Sequence, residues 1–457
     1  MSSERVTYLR SLPAVRETCS KVFEAALKGE NEYWDVDLSK ETDIVDFVQS
    51  LIERDYAGDY ASIPPHGRWR HLIPMPGNPD PLQALIASWQ SASLDAIEIS
   101  RRLVDLVVVS VLVDAGAGNE WRYTVGSGGA GGEEVRIGRS EGLALASLQM
   151  FKDGMFSSRG EQEVDSEGLK ALTVSKLEEG FQVSPSNPMV GLAGRSNLLI
   201  RLGSLLPASP FFSHNGTSRP GNMVDYLLSH PSTQSVPSPS SQAYSVDVLA
   251  LWEVVLEGLD VWPKDREGGL SMEGRSMGDV WRCDFLSRGG SGGEVAFHKL
   301  SQWMTYSLIE VFERNLNFRF RNKQHLTGLP EYRNGGLLLD FSLLSLRPSS
   351  LPSLYKALNL PPPPKPSSAP QTEETIDLLH LPSLPASHPA IVEWRAITVI
   401  MLDRIALKMR EKSGLGEELQ LAQVLEGGTW KAGREIAKKK REGGGPPINI
   451  LSDGTVF

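Results

Sequence analysis

EVAFHKLSQWMTYSLIEVFERNLNFRFRNKQHLTGLPEYRNGGLLLD, Glu294 to Asp340, is the stretch on which the reading of this chain turns. Phe297, Leu300, Trp303, Met304, Leu308, Val311 and Phe312 recur at steps of three and four, which predicts an amphipathic helix with these residues on its buried face. Lys299, Gln302, Tyr306 and Glu313 fall on a separate polar stripe. Pro330 and the Gly335-Gly336 pair then punctuate a turn between two apolar segments, with Glu331, Tyr332, Arg333 and Asn334 inside it. A helix bearing a lysine, followed by a turn bearing a carboxylate and an arginine, brings opposite charges toward one cleft. The plain structural reading is an ion pair of Lys299 with Glu331 that ties helix to turn.

Working outward, the same helical period recurs through most of the chain. Leu12-Pro13 opens a helix whose buried stripe is Val15, Cys19, Val22, Phe23 and Ala26, with proline early, where its missing N–H costs little. Asp43 to Arg54 is a second helix. Ile97 to Val113 is apolar almost all round and reads as a buried helix or strand, its length favouring a core helix, and it ends at Asp114 in a glycine-rich mouth. There Asp114 either binds a ribose hydroxyl or caps its own turn. Leu143 to Phe151 predicts a helix with Ser140 as its N-cap, beside Arg139 and Glu141. An anion near that start would be favoured by the helix dipole, though capping alone also explains the residues. Val246 to Leu256 reads as helix, and a long helix runs from His388-Pro389 to about Lys412. A few short strands are expected around Trp121–Ile137. The loop Pro64 to His71 is dense in polar and aromatic groups: Trp69 anchors it, or Arg68 or Arg70 contacts a substrate.

The fold expected is mainly α, a single catalytic domain over 1–457 with flexible insertions near 126–133, 231–241, 288–293 and 361–372. A net charge of −10 argues against a phosphate-backbone binder. The Lys438–Arg441 cluster reads as solvated rather than as a nucleic-acid patch. Two cysteines, Cys19 and Cys283, make neither a disulfide framework nor a Cys-rich zinc site, and fit reduced thiols in the cytoplasm. There is no signal-peptide pattern at the start and no apolar run of the ~20 residues a membrane span needs. The eight histidines show no metal spacing. No nucleophile elbow, Walker loop or dinucleotide fingerprint is present, so no metal and no cofactor is expected. Acid–base and electrostatic chemistry by carboxylate, lysine and arginine is what remains.

LPEYRNGG, with FHKLSQW, LVDAGAGNEWRY and GRSEGLA, resembles the uracil-catabolism protein family of fungi and bacteria, long filed as a domain of unknown function. The four motifs stand in order, and the resemblance covers the chain from about Leu9 to the Trp394 helix. A more distant resemblance is to the queuosine-salvage nucleoside glycosidases, whose helix of the type FYKRAQ and turn of the type FADYRVPQ match FHKLSQ and LPEYRNGG in order and spacing. It implies a helical enzyme akin to helix-hairpin-helix DNA glycosylases. It also implies that Lys299 and Glu331 serve glycosidic bond cleavage, Glu331 standing where those enzymes have aspartate.

Together the resemblances imply an N-ribosyl hydrolase that cleaves ribosylurea, or its 5′-phosphate, to urea and ribose or ribose phosphate. Tyr332, Arg333, Gln302, Asp114, Arg68, Trp69, Arg139 and Glu141 would bind the substrate, Arg333 as a candidate for a sugar phosphate. The expected partner is that small ribosylated or nucleoside-like molecule, with no nucleic acid or membrane and with association to pathway enzymes as a further option. The rival readings are a non-catalytic partner of the ring-opening, cyclohydrolase-like enzyme and a glycosidase of a modified nucleoside.

Overall fold

A computed structural model describes residues 2–73, 80–114, 116–118, 120–125, 134–237, 242–261, 268–288, 292–358, 360–361, 378, 381 and 383–451. The expected insertion at 126–133 lies outside the described residues, as do 238–241, 289–291 and 362–372. The described chain is mainly helical with a few short strands. None of its helices is long and apolar enough to cross a membrane. Its described residues cluster into two compact units: those within 2–65, 268–299 and 324–451 form the first, and those within 66–261 and 300–323 the second.

The first unit is built on the helix Pro389–Ser413. His388 caps it, its Nδ1 accepting from the Ala390 N–H at 3.1 Å. Pro389 follows where no N–H is missed, and Gly414 ends it in left-handed backbone at φ 70°. Every side chain from Ala390 to Val399 is buried, so this stretch is covered on all sides. The helices Leu12–Leu27, Glu41–Tyr56 and Tyr332–Asp340 pack on it. The stripe predicted from Val15 to Ala26 is buried.

Close approach requires two glycines here. A methyl group on Gly335 would overlap the Trp394 indole, and one on Gly433, in the helix Trp430–Lys440, would overlap the Arg333 carbonyl. Gly335 and Gly336 therefore lie inside the helix Tyr332–Asp340 rather than in the expected turn, which ends at Glu331. The reason is packing: the contact against Trp394 outweighs the ~1 kcal/mol a helical glycine costs. Gly433→Ala is expected to destabilise the protein by about 1–3 kcal/mol, read from denaturant unfolding, because backbone rather than a flexible side chain fills the space. The expectation of a solvated Lys438–Arg441 cluster is also met only in part. Arg441 clasps Asp340 with two bonds of 2.6 Å, and Lys440 donates to the Asp340 carbonyl.

Glu393, fully buried on the central helix, has no cation paired to it among the described residues. It accepts from Asn31 Nδ2, the Glu32 N–H and the Tyr33 N–H, each at 3.0 Å. Burial pushes its pKa up to about 7 against those three donors. An acid whose folded pKa is raised holds its proton in the native state at pH values where the unfolded chain has lost it. Stability therefore falls as pH rises from the unfolded value to about 7. We expect a loss of about 3 kcal/mol between pH 5 and 8 from this group. In Glu393→Gln that component should vanish, so denaturation midpoints of the two proteins should converge at low pH and part at high pH.

The second unit centres on the helix Ala96–Leu112, buried along its whole length from Leu103. The helices Pro81–Ser91, Arg139–Lys152, Leu192–Leu205 and Met223–Ser229 pack around it. Asp105, polar within the apolar run, accepts from Arg219 Nε at 2.8 Å, the Gly221 N–H at 2.7 Å and the Val164 N–H at 3.1 Å. A charge at that depth is tolerated only when its lone pairs are filled. The expected short strands appear as Tyr123–Val125 paired antiparallel with Val135–Ile137.

A three-stranded sheet differs from expectation in two places. Gln234–Val236, expected as loop, pairs antiparallel with Ala243–Asp247, which runs parallel to Phe318–Arg321. The helix expected from Val246 begins instead at Val248, with Asp247 as N-cap accepting from the Leu249 N–H at 2.9 Å. The helix in the opening stretch spans Lys299–Leu316, and its polar stripe is corrected. Gln302 is fully buried and Tyr306 nearly so, because this helix is covered on more than its apolar face.

Candidate functional site

In the first unit, Asp279 organises the start of the helix that carries Lys299. It precedes the strand Val280–Arg282, which pairs antiparallel with Glu294–Ala296. Asp279 Oδ1 accepts from Trp281 Nε1 at 2.6 Å and Arg395 Nη1 at 2.7 Å; Oδ2 accepts from Arg395 Nη2 at 2.7 Å and the Lys299 N–H at 3.0 Å. Burial opposes its ionisation, but the Arg395 guanidinium and the other donors hold its pKa down at about 2. Arg395 also lies 4.0 Å from the Phe297 ring centroid. Between strand and helix, His298 takes left-handed backbone at φ 48°, with its Nε2 2.8 Å from the Leu9 carbonyl. That conformation is uncommon for a residue with a side chain and persists where surrounding contacts enforce it.

Glu331 sits in extended backbone as the N-cap of Tyr332–Asp340. One carboxylate oxygen accepts from the Arg333 N–H at 2.8 Å and the other from the Asn334 N–H at 2.7 Å. Its side chain forms no ion pair with Lys299, so the plain salt bridge anticipated between them is not formed. Tyr332 donates to the Ile450 carbonyl at 3.2 Å and Arg333 Nη1 to the Gly444 carbonyl at 3.0 Å. Burial pushes the Tyr332 hydroxyl up to about 12. Asn334 bridges the Leu329 carbonyl and the Thr429 hydroxyl.

The second unit assembles several of the other predicted residues around Arg68. This guanidinium is fully buried. Its Nε donates to Ser110 Oγ at 2.8 Å; its Nη1 donates to Asp114 Oδ1 at 2.7 Å and to the Ser140 carbonyl at 3.2 Å. The Ser140 hydroxyl donates to Asp114 Oδ2 at 3.1 Å. Ser140 is thus inside the helix Arg139–Lys152 and serves Asp114, and the N-cap position expected for it is taken by Gly138, which offers no side-chain cap. Arg139 is exposed with φ 58°. The Trp303 ring lies 5.5 Å from the Arg68 guanidinium carbon. Trp69 behaves as the anchor: it is buried, bonds Asp80 Oδ2 at 2.7 Å and stacks under Arg314 at 4.7 Å.

Sequence reasoning missed Asp279 and Arg395 in the first unit, and Ser110, Ser147, Trp303 and Arg195 in the second. Ser110 and Ser147 share a hydrogen bond of 2.7 Å in the core. The buried Arg195 holds the carbonyls of Val113 and Val190, on either side of the Asp114 mouth, at 2.9 and 2.5 Å. The available signal was polar residues within apolar helical runs, which must find partners when buried.

Residues 8–457 match the family described as a protein of unknown function (DUF1688). The chain belongs to this DUF1688 family. Two relatives carry names. "Uracil catabolism protein 4" of Lachancea kluyveri is 41% identical over 468 residues, covering 99% of each chain. "Protein urg3" of Schizosaccharomyces pombe is 39% identical over 465 residues, covering 100% of each. The DUF1688 match takes in FHKLSQW, LPEYRNGG and the Arg68 loop alike, so both groups of candidate residues lie within the family's own span.

Proposed function

We propose that this protein acts in uracil catabolism as an N-ribosyl hydrolase, cleaving ribosylurea or its 5′-phosphate to urea and ribose or ribose phosphate. The pathway is supported by the name of the Lachancea kluyveri relative. The chemistry is supported by one observation: Glu331 is a carboxylate fixed through both oxygens by backbone N–H groups and, among the described residues, joined to no side-chain cation.

On this reading water supplies the oxygen that bonds to C1′ as the C1′–N bond breaks. Glu331 stabilises the positive charge developing on the sugar and takes a proton from the incoming water. The departing urea nitrogen receives a proton, which Lys299 donates directly or through water. Tyr332 and Arg333 are the proposed substrate-positioning residues of the first unit. Arg68, Trp69, Asp114, Arg139, Glu141 and Gln302 belong to the second unit and are proposed there as a separate binding group, with no part in the step at Glu331. The likeness to helical queuosine-salvage glycosidases belongs to the same proposal and rests on FHKLSQ and LPEYRNGG.

Purified protein incubated with ribosylurea and with its 5′-phosphate should release urea from at least one of them. Co-purification with the ring-opening enzyme without any turnover would instead favour a non-catalytic partner. Turnover of a bulky modified nucleoside alone would favour the salvage-type reading.

A further inference from the structure

Arg68 has one nitrogen that no described residue uses. Nε and Nη1 are committed to Ser110, Asp114 and the Ser140 carbonyl, whereas Nη2, with its two N–H groups, reaches no acceptor among the described residues. A buried guanidinium donor left unmatched is costly, so its persistence needs a reason. The other bonds make the group rigid. Ser110 is fixed in turn by Ser147, Asp114 is held from its far side by Ser140, and Trp303 lies against the guanidinium.

We propose that Arg68 Nη2 is a ligand-binding donor of the second unit, and that it takes a neutral carbonyl oxygen of the urea or amide class rather than a phosphate. Charge decides between the two. Arg68 is already neutralised by Asp114, and Glu141 and Arg70 act on it with opposite signs. Arg68, Arg70 and the buried Arg195 against Asp114 and Glu141 leave one net positive charge, and Arg195 points its donors at the Val113 and Val190 carbonyls. A phosphate dianion would therefore exceed the charge available and enter beside two carboxylates, and burial would magnify the repulsion. A carbonyl oxygen accepts both Nη2 N–H groups without adding charge. The choice of the ureido carbonyl as the ligand rests on the ribosylurea reading above; the donor itself does not.

Binding of ribosylurea, of ribose and of inorganic phosphate to the full-length protein would be measured by calorimetry, with urea release followed separately. Arg68→Lys keeps a cation against Asp114 but removes the planar donor. It is expected to weaken ribosylurea binding at least 10-fold. Such Arg68-dependent binding without urea release would keep this inference and end the hydrolase reading. Urea release with binding indifferent to Arg68→Lys would do the reverse. Phosphate bound in an Arg68-dependent manner would overturn the neutral-ligand assignment. Should Arg68→Lys fail to fold, crystals of the unaltered protein soaked in N-methylurea decide: its oxygen must lie within hydrogen-bond distance of Nη2. N-methylurea bound elsewhere, or only water at Nη2, overturns the proposal.

Discussion

Glu331→Asn is expected to leave the protein folded while lowering urea release from ribosylurea by about 10²–10⁴-fold, the range for losing a positioned acid–base group. The choice of Asn follows from the observed geometry. Glu331 has a structural duty as N-cap, since its carboxylate satisfies the Arg333 and Asn334 N–H groups. Alanine would remove capping and chemistry together, at about 0.5–2 kcal/mol for the cap alone. Asparagine is among the best N-cap residues but is no proton acceptor, so it separates the two duties. Glu331→Asp retains a carboxylate with one methylene less, and its residual rate measures how far the reacting carbon lies from the cap. Wild-type turnover in Glu331→Asn, with an unchanged denaturation midpoint, would reduce Glu331 to its capping role.

The largest stability effect is expected from Asp279→Ala. It removes both bonds to Arg395 and leaves that fully buried guanidinium without its carboxylate. It also deprives Trp281 Nε1 and the Lys299 N–H of their acceptor. Breaking a buried pair from one side costs about 3–5 kcal/mol, most of it the penalty of an uncompensated charge. Asp279→Leu combined with Arg395→Met removes both charges and should recover a large part of that loss in the same denaturant titration. If Asp279→Ala costs under ~1 kcal/mol, the pair is not what holds this junction. Because Asp279 holds the first N–H of the helix bearing Lys299, any activity left in the single variant should fall further than its stability alone predicts.

How much was legible can be judged residue by residue. The run from Ile97 to Val113 was read as a buried helix because apolar residues almost all round leave little face for water and its length suits a helix; that helix, Ala96–Leu112, stands at the centre of the second unit, though Arg101 and Arg102 in its first turns are only half-buried. His388-Pro389 announced the start of the long helix because a capping side chain and a proline at the first position are both local requirements. The Gly335-Gly336 pair was misread, since glycine signals a turn and a close helix contact equally well. The partner that decides, Trp394, is 59 residues away. Gln302 and Tyr306 were set on a polar stripe apart from the buried face, yet both are buried, because period shows which side chains share a face but not how many faces a neighbour covers.

Composition, helical period and local capping chemistry determined by themselves that the chain is mainly helical, where helices such as Leu12–Leu27 and Pro389–Ser413 begin, and which motifs tie it to its family. These are properties of neighbouring residues and survive without a partner. Tertiary structure alone decided that Asp279 meets Arg395, that Arg68 meets Ser110 and Asp114, and that Glu331 caps a helix without an ion pair to Lys299. Each depends on residues far apart in sequence converging in a medium too poor in water to leave a charge or donor unmatched, and no local pattern records which distant partner will arrive.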